Sequence, residues 1–339
     1  MGDAALTASL NDIALRAGVS VKTASGALHG GSARMSDATR QRILEIAGEL
    51  GYVTNFAARS MRQGWMPLIG VISDELITSR FATEIIRGLD GAARAAEMAV
   101  FAVTLGNRRD VTKTLGEIRQ FRPRAIAYAA MYHKKVTLPP SAADAIAVMI
   151  NCQDDAGLIP SLVPDEEGAA IEITRHLLEN GRRAIAFINL PGLLAGALRE
   201  KGFRRALVDA GMDGEAAPVL PAVRQTIYSD RAQSLVSAHV AALLDSSSPP
   251  DAILCGNDRV AMEVYAALRR AGRSIPEDVA VASFDNQVDI ATRLDPPLTT
   301  MALPHRAMGR MAANILLSAE PPPVEVHRLP FQLVERSSV

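Results

Sequence analysis

Ser9-Leu10-Asn11-Asp12-Ile13-Ala14-Leu15-Arg16-Ala17-Gly18-Val19-Ser20-Val21-Lys22-Thr23-Ala24-Ser25-Gly26-Ala27-Leu28-His29 is the stretch on which the reading of the chain turns. Ile13, Ala14 and Ala17 recur at helical spacing, and Ser9 with Asp12 three residues later predicts an N-cap answered by an acidic third position. Gly18 ends that helix, because it takes a positive φ at no steric cost. Val19 packs in the turn, and Ser20 offers its hydroxyl as the cap of a second short helix. There Ala24, Ala27 and Leu28 are expected to face inward, leaving Val21, Lys22, Ser25 and Gly26 outside. Two short helices joined by a tight glycine turn form a helix-turn-helix, whose second helix lies in a DNA major groove. An ordinary helical hairpin in a core has the same spacing, so this stretch alone leaves both readings open.

The residues up to Arg62 narrow the choice. Ser36 caps a third helix, with Ile43, Leu44, Ala47 and Leu50 predicted on one face and Gly51 as its stop. Then follows Gly51-Tyr52-Val53-Thr54-Asn55-Phe56-Ala57-Ala58-Arg59-Ser60-Met61-Arg62. Together these segments resemble the headpiece and hinge of the lactose/galactose-repressor (LacI-type) family. Its A-G-V-S-x-x-T-x-S run and later L-G-Y-x-x-N-x-x-A-R-S-x run recur here nearly position for position. The resemblance implies a hinge helix from about residue 55 to 62 that folds on an operator and enters the minor groove. It also implies DNA contacts from Ser20, Val21, Lys22, Thr23 and Ser25, and from Asn55, Ala58, Arg59 and Met61. Met61 stands where the family places a leucine wedge, and an apolar thioether chain can do the same work. A hinge residue packing on its dimer mate is the plainer role, compatible with the first.

The chain has 339 residues, 48% of them apolar and 22% charged, with a net charge of −1. That length suits two or three domains, and the charge excludes a uniformly basic nucleic-acid binder. Within the first 65 residues, however, Arg16, Lys22, Arg34, Arg40, Arg42, Arg59 and Arg62 outnumber the acids. This is a modest phosphate-binding footprint, suited to a dimer. Cys152 and Cys255 lack metal-ligand spacing and read as reduced thiols. Met1 to Leu10 has no signal-peptide pattern, and no apolar run reaches membrane-spanning length, so a cytoplasmic protein is expected.

From Leu68 onward short apolar runs alternate with helical patterns. Strands are expected at Leu68–Ile72, Ala99–Val103, Ala125–Tyr128 and Ile146–Ile150, then at Ala184–Ile188, Ala252–Cys255 and Val279–Ala282. Helices are expected from Phe81, and over Val111–Phe121, Glu167–Glu179, Leu198–Ala210, Asp230–Leu244 and Arg259–Ala271. Such alternation means doubly wound parallel sheets, and two facing sheets place a ligand cleft at their carboxyl ends. The segments Val163-Pro164-Asp165-Glu166-Glu167-Gly168, Arg199-Glu200-Lys201-Gly202-Phe203, Cys255-Gly256-Asn257-Asp258, Phe284-Asp285-Asn286 and Met308-Gly309-Arg310 resemble the type I periplasmic-binding-protein core of the same family. The expected organisation is therefore an all-α helix-turn-helix headpiece (residues 1–54), a hinge helix and linker (55–66), and an α/β core of two doubly wound parallel-sheet lobes (67–339). The resemblance implies three chain crossings between the lobes, placed near residues 162, 288 and 320. Lobe 1 is then about 67–162 with 288–320, and lobe 2 is 163–287 with 321–339.

For the cleft the resemblance implies Phe81, Asp165, Arg199, Asn257 and Asp285 as effector-binding residues. Arginine presents a planar fork, aspartate accepts from hydroxyls and asparagine does both, which suits a small polyhydroxylated, sugar-like effector. Their plainer role is as loop caps and surface ion pairs. Gln225 stands where relatives carry an aromatic, which reduces the stacking surface. Asp74 and Glu75 are adjacent and so point to different faces, and His133, His176 and His305 are scattered without a nucleophile. No catalysis, metal or cofactor is therefore expected. The competing classes are a ligand-controlled DNA-binding regulator, which the segment 9–62 favours, and a transporter's solute-binding component or an enzyme on the same two-lobed core. A homodimer is expected rather than a tetramer, since the residues after Phe331 leave no room for coiled-coil heptads.

Lys22 can donate to guanine O6 and N7, and Val21 can touch a thymine methyl. Lys22→Ala should relax base preference within its half-site and cost about 1–3 kcal/mol of operator binding. Equal weakening on operator and on random DNA, measured by anisotropy, would limit Lys22 to phosphate contact.

Overall fold

The computed structural model describes residues 8–29, 35–52, 64–74, 83–105, 110–229 and 232–339. The expectations for Asn55, Ala58, Arg59, Met61 and Phe81, and for the hinge helix, lie outside these residues. By its contacts the chain divides into two units, Met1–Met66 and Pro67–Val339.

The first unit is built on α1 (Leu10–Ala17), α2 (Val21–His29) and α3 (Asp37–Glu49). Ser9 Oγ accepts from the Asp12 amide and Asp12 answers with a 2.8 Å bond from the Ser9 amide, a complete capping box. Gly18 sits at φ 67° and returns its N–H to the carbonyls of Ala14 and Leu15, closing α1. The Thr23 amide donates to Ser20 Oγ at 3.0 Å and so caps α2. Ile13, Ala14, Ala17, Ala24, Ala27, Ile43, Ile46 and Ala47 form the core, with Leu28, Leu50 and Tyr52 packed around it. Two expectations change. Ile46 rather than Leu44 points inward from α3, and Leu44 is 43% exposed, because packing against α1 and α2 turns the Ile43-Ile46-Ala47-Leu50 face inward. Gly26 is buried rather than on the outer face of α2.

The second unit carries two six-stranded sheets. The first sheet uses β1 (Met66–Ser73), β2 (Ala99–Thr104), β3 (Pro123–Val136), β4 (Val148–Asp154), β5 (Ser161–Pro164) and β11 (Val326–Leu329), in the order β11-β5-β4-β3-β1-β2. The second uses β6 (Ile185–Asn189), β7 (Val219–Pro221), β8 (Ala252–Cys255), β9 (Ala280–Asp285), β10 (Thr299–Ala302) and β12 (Gln332–Val334), in the order β12-β10-β9-β8-β6-β7. The β10–β12 pair is antiparallel, whereas β1–β2, β3–β4, β4–β5, β5–β11, β6–β7, β6–β8, β8–β9 and β9–β10 are parallel. Burial on both faces explains why β8 and β9 read as continuous apolar runs. Helices α4 (Thr83–Ala95), α5 (Val111–Arg119), α6 (Pro140–Ala143) and α12 (His305–Leu317) accompany the first sheet. Helices α7 (Glu166–Glu179), α8 (Leu194–Asp209), α9 (Val236–Leu244), α10 (Asp258–Arg270) and α11 (Val288–Ala291) accompany the second.

Two of the three crossings lie elsewhere than expected. Thr299–Ala302 pairs with Ala282–Asp285, so the segment after residue 288 stays in the second lobe and crosses only at Leu303-Pro304. After α12 the chain adds Val326–Leu329 to the first sheet and crosses back at Pro330-Phe331, not near 320. The first crossing falls at Asp165, between β5 and α7. Strand pairing decides each position, and runs as short as β10, β11 and β12 carry too little periodicity to be recognised in sequence.

In the first lobe α4 and α12 meet through glycines. A Cβ on Gly309 would stand 2.0 Å from the Ile85 carbonyl oxygen, and one on Gly88 would stand 2.1 Å from that of Arg306. Backbone on both sides leaves nothing flexible to yield. Gly309→Ala should therefore force the helices apart and lower core stability by about 1–3 kcal/mol in denaturant melts, despite alanine's better helix propensity. An unchanged or raised midpoint would contradict this contact.

Candidate functional site

Two surfaces emerge. On α2, Val21 is 44% exposed and Lys22 is exposed beside it in the first turn, while Ser20 and Thr23 share a 2.8 Å hydroxyl contact. Ser25, one turn on, is half-buried. An exposed apolar and a cationic side chain at the amino end of a short helix form the geometry that a recognition helix presents to base edges.

The second surface is the cleft between the lobes. Met131, Tyr132, His133, Asn151 and His305 enter it from the first lobe, and Leu190, Leu193, Arg199, Asn257, Asp285 and Gln287 from the second, with Glu166 at the crossing. Arg199 on α8 is 3% exposed and anchors the second-lobe wall. Its Nε donates to Glu166 Oε2 at 2.7 Å, its Nη1 donates to the Gly256 carbonyl, and its Nη2 stands 3.8 Å from Asp285 Oδ1. Phe284 covers the guanidinium face at 4.4 Å from the ring centroid. The other Glu166 oxygen lies 3.6 Å from His133 Nδ1, so one carboxylate links β3 of the first lobe to α8 of the second. Tyr132 and Tyr228 meet edge to face across the same boundary, with centroids 6.4 Å apart.

Burial sets the protonation of this cluster. It opposes ionisation of Glu166, but Arg199 and His133 outweigh it and hold that carboxyl below its ordinary value. Asp285 is farther from the guanidinium; burial, with Asp258 and Glu166 adding to it, pushes its carboxyl well above the ordinary range against the pull of Arg199. Behind it, burial raises Asp258 to about 6, opposed by hydrogen bonds from Ser283, Thr300 and the Gln287 amide.

Residues 9–55 match the profile of the lacI family of bacterial regulatory proteins, and residues 174–339 match that of a periplasmic binding protein-like domain. Over 336 residues the chain is 36% identical to the sucrose operon repressor of Escherichia coli, covering 98% of this chain and 99% of that one. The chain belongs to the lacI family of bacterial regulatory proteins. It is 29% identical to the regulator CelR of Thermobifida fusca over 323 residues, 91% of each chain. A LacI-family regulator from Rhizobium etli superposes with a TM-score of 0.73 at 31% identity, over 80% of this chain and 98% of that one. The lac repressor dimer bound to operator and the anti-inducer ONPF shares the fold, with a TM-score of 0.70 at 21% identity and 98% coverage of both chains. This family member is accordingly a DNA-binding regulator and not an enzyme.

Within this LacI-type frame the structure sorts the expected cleft residues. Arg199, Asn257 and Asp285 come together. Asn257 also caps α10, accepting from the Val260 amide at 2.9 Å while its Nδ2 donates to Tyr228 Oη at 3.2 Å. Asp165 does not join them. It caps α7 through the Gly168 amide at 3.1 Å and faces a separate groove with Lys135, Lys201 and Arg328, while its neighbour Glu166 enters the cleft. Gln225 accepts from the Gln233 amide at 3.0 Å, and the aromatic surface of the cleft comes instead from Tyr132, which packs on buried Tyr228. An aspartate immediately before a helix and three residues ahead of Gly168 was readable as a cap; the roles of Glu166, Tyr132, Tyr228 and Asn151 carry no such local signal. Cys152 and Cys255 are free and buried, and burial raises both thiols, leaving them unreactive.

Arg199→Met should leave Glu166 buried without its cation, costing about 3–5 kcal/mol at neutral pH. The sign follows from the protonation states. In the wild type Glu166 is depressed, so its contribution is present above the ordinary carboxyl value of 4.5 and lost as pH falls through the depressed one. In the variant the guanidinium no longer opposes burial and the carboxyl moves up, so the variant's deficit is relieved on acidification. Denaturant melts should therefore show the gap shrinking from neutral pH towards 4.5; a constant gap would contradict the pairing.

Proposed function

We propose that this chain is a repressor that binds a pseudo-palindromic operator as a homodimer and is controlled by a small polyhydroxylated effector, a sugar or sugar derivative, held between its two lobes. The observation that carries the effector reading is the Glu166–Arg199–Asp285 cluster with Asn257, drawn from separate elements onto one cleft and bordered by Tyr132. Planar donors, carboxylate acceptors and aromatic edges are the complement of a ring bearing hydroxyls. The name of the 36% identical relative, a sucrose operon repressor, points the same way. Val21, Lys22 and their capped helix supply the DNA side, with Asn55, Ala58, Arg59 and Met61 assigned to the hinge by resemblance. Residues 1–54 are the headpiece, 55–66 the hinge and linker, and 67–339 the effector core, acting in the cytoplasm where the DNA is.

The mechanism is a shift between lobe orientations. Three crossing segments join the lobes, and an effector touching both favours one orientation, which resets the spacing of the hinge segments of a dimer over DNA. A differential affinity of about 1–3 kcal/mol between the orientations suffices. Because Arg199 also neutralises buried Glu166, its removal tests stability and signalling together, and a ligand-side experiment is cleaner. Full-length protein should retard a DNA fragment selected from a random pool, lose retardation on deletion of residues 1–62, and change its affinity for that fragment at least about fivefold when sucrose or a related sugar is added. Retardation that survives the deletion would overturn the DNA-binding assignment, and an affinity unmoved by any sugar would overturn the effector class.

A further inference from the structure

The groove that Asp165 faces is built from both lobes and is separate from the cleft, with which it shares Glu166. Its volume, about 460 Å³, falls in the range of small-molecule sites. The first-lobe wall is the carboxyl edge of four adjacent parallel strands: Lys135 stands at the end of β3, Gln153 of β4, Pro164 of β5 and Arg328 of β11. Open α/β sheets take their ligands at that edge. The second-lobe wall is one stripe of α8, where Leu194, Leu198, Lys201 and Arg205 recur at helical spacing. Pro164, Leu194 and Leu198, with Ile171 of α7, give the groove an apolar floor. Its rim is charged and unevenly matched. Lys201 donates to Glu167 at 2.8 Å, and Arg205 stands 3.8 Å from Asp209. Asp165 spends one oxygen on the Gly168 amide and has no cation within ion-pair distance among the described residues. The side chains of Lys135 and Arg328 have no hydrogen bond or ion pair among the described residues. Two unmatched cations against one unmatched carboxylate leave a surplus of one positive charge above an apolar floor.

We infer that this groove is a second ligand site, for a small organic acid with one carboxylate on an apolar ring or chain. The body of such a ligand covers Leu194, Leu198 and Ile171, and its carboxylate answers the surplus charge of Lys135 and Arg328. An acid without an apolar body leaves the floor in water, and a neutral analogue leaves both cations unmatched. A dianion meets more negative charge than the rim can balance, because Asp165 and Glu167 stand on it. The site touches both lobes, and it is wired to the cleft. Gln153 Nε2 lies 3.1 Å from His133 Nε2, and His133 Nδ1 lies 3.6 Å from Glu166, the partner of Arg199. A ligand held between Lys135 and Arg328 on one side and α8 on the other favours one lobe orientation and so acts on operator affinity. That consequence rests on the control proposed above; the site itself does not.

The test is calorimetric titration of the full chain, in the absence of sugar, with benzoate, 3-phenylpropionate and hexanoate, and with acetate and benzamide as controls. At least one of the three acids should bind saturably, one per chain, with acetate and benzamide at least ~10-fold weaker. The double variant Lys135→Gln/Arg328→Gln should weaken that acid at least ~10-fold, each exposed cation contributing a modest share. Both side chains are exposed, so its melting curve should match the wild type. Failure of all three acids to saturate below about 10 mM would overturn the site. Benzamide binding as tightly as benzoate would overturn the charge selection, and undiminished binding by the folded double variant would place the acid elsewhere. In the retardation assay the saturating acid should change operator affinity about fivefold for the wild type and not for the variant. Equal operator affinity with and without the acid, at proven saturation, would overturn the link between groove and DNA while leaving the site. Inactive sugars would overturn the polyol reading and leave these titrations as they are.

Discussion

One buried guanidinium organises the core. Arg199 satisfies Glu166, a carboxylate at the mouth of a crossing segment, ties the loop after β8 through the Gly256 carbonyl, and rests on Phe284 at the end of β9. An ion pair withdrawn this far from water is costly to form and more costly to break. Its worth therefore lies less in stability than in position: it fixes the ends of two strands and a helix start around one point. Asp285, at a positive φ of 110°, carries backbone strain at the edge of the cleft, and Asn286 beside it, at φ 52°, is held by Arg336 at 2.7 Å.

The surroundings divide into rigid and movable parts. Within each lobe the packing is unforgiving, as the glycine contact between α4 and α12 shows. Between the lobes the chain crosses at Asp165, Leu303-Pro304 and Pro330-Phe331, and the contacts across the boundary include His133 beside Glu166 and one tyrosine edge against another. Bodies that cannot deform internally, joined by short segments, respond to a ligand by changing orientation as units. That is the physical content of the proposed control.

Sequence alone went far where local chemistry is strong. Ser9, Gly18, Ser20 and Ser36 announce their caps, the apolar spacing of α1 gives its buried face, and Leu68–Ile72 and Ala252–Cys255 read as buried strands. Arg199, Asn257 and Asp285 were legible through resemblance. What escaped depends on tertiary pairing. Leu44 and Ile46 both fit a helical stripe until the three helices are set against one another. The strands after residue 298 are too short to carry periodicity, so two crossings were misplaced. Asn151 looks like any polar residue beside an apolar run; its place in the cleft goes with a register shift between β3 and β4 that only the sheet reveals. Asp165 and Glu166 are neighbours of like charge, and the start of α7 decides which of them caps and which enters the cleft.

The central claim is that occupancy of this cleft and the grip on DNA are linked, and linkage is reciprocal. The most direct measurement is sugar affinity, by calorimetry, for the free protein and for the protein saturated with its operator fragment. The factor separating the two affinities should equal the factor by which saturating sugar changes operator affinity. Identical sugar affinities in both states, with operator binding intact, would contradict the account.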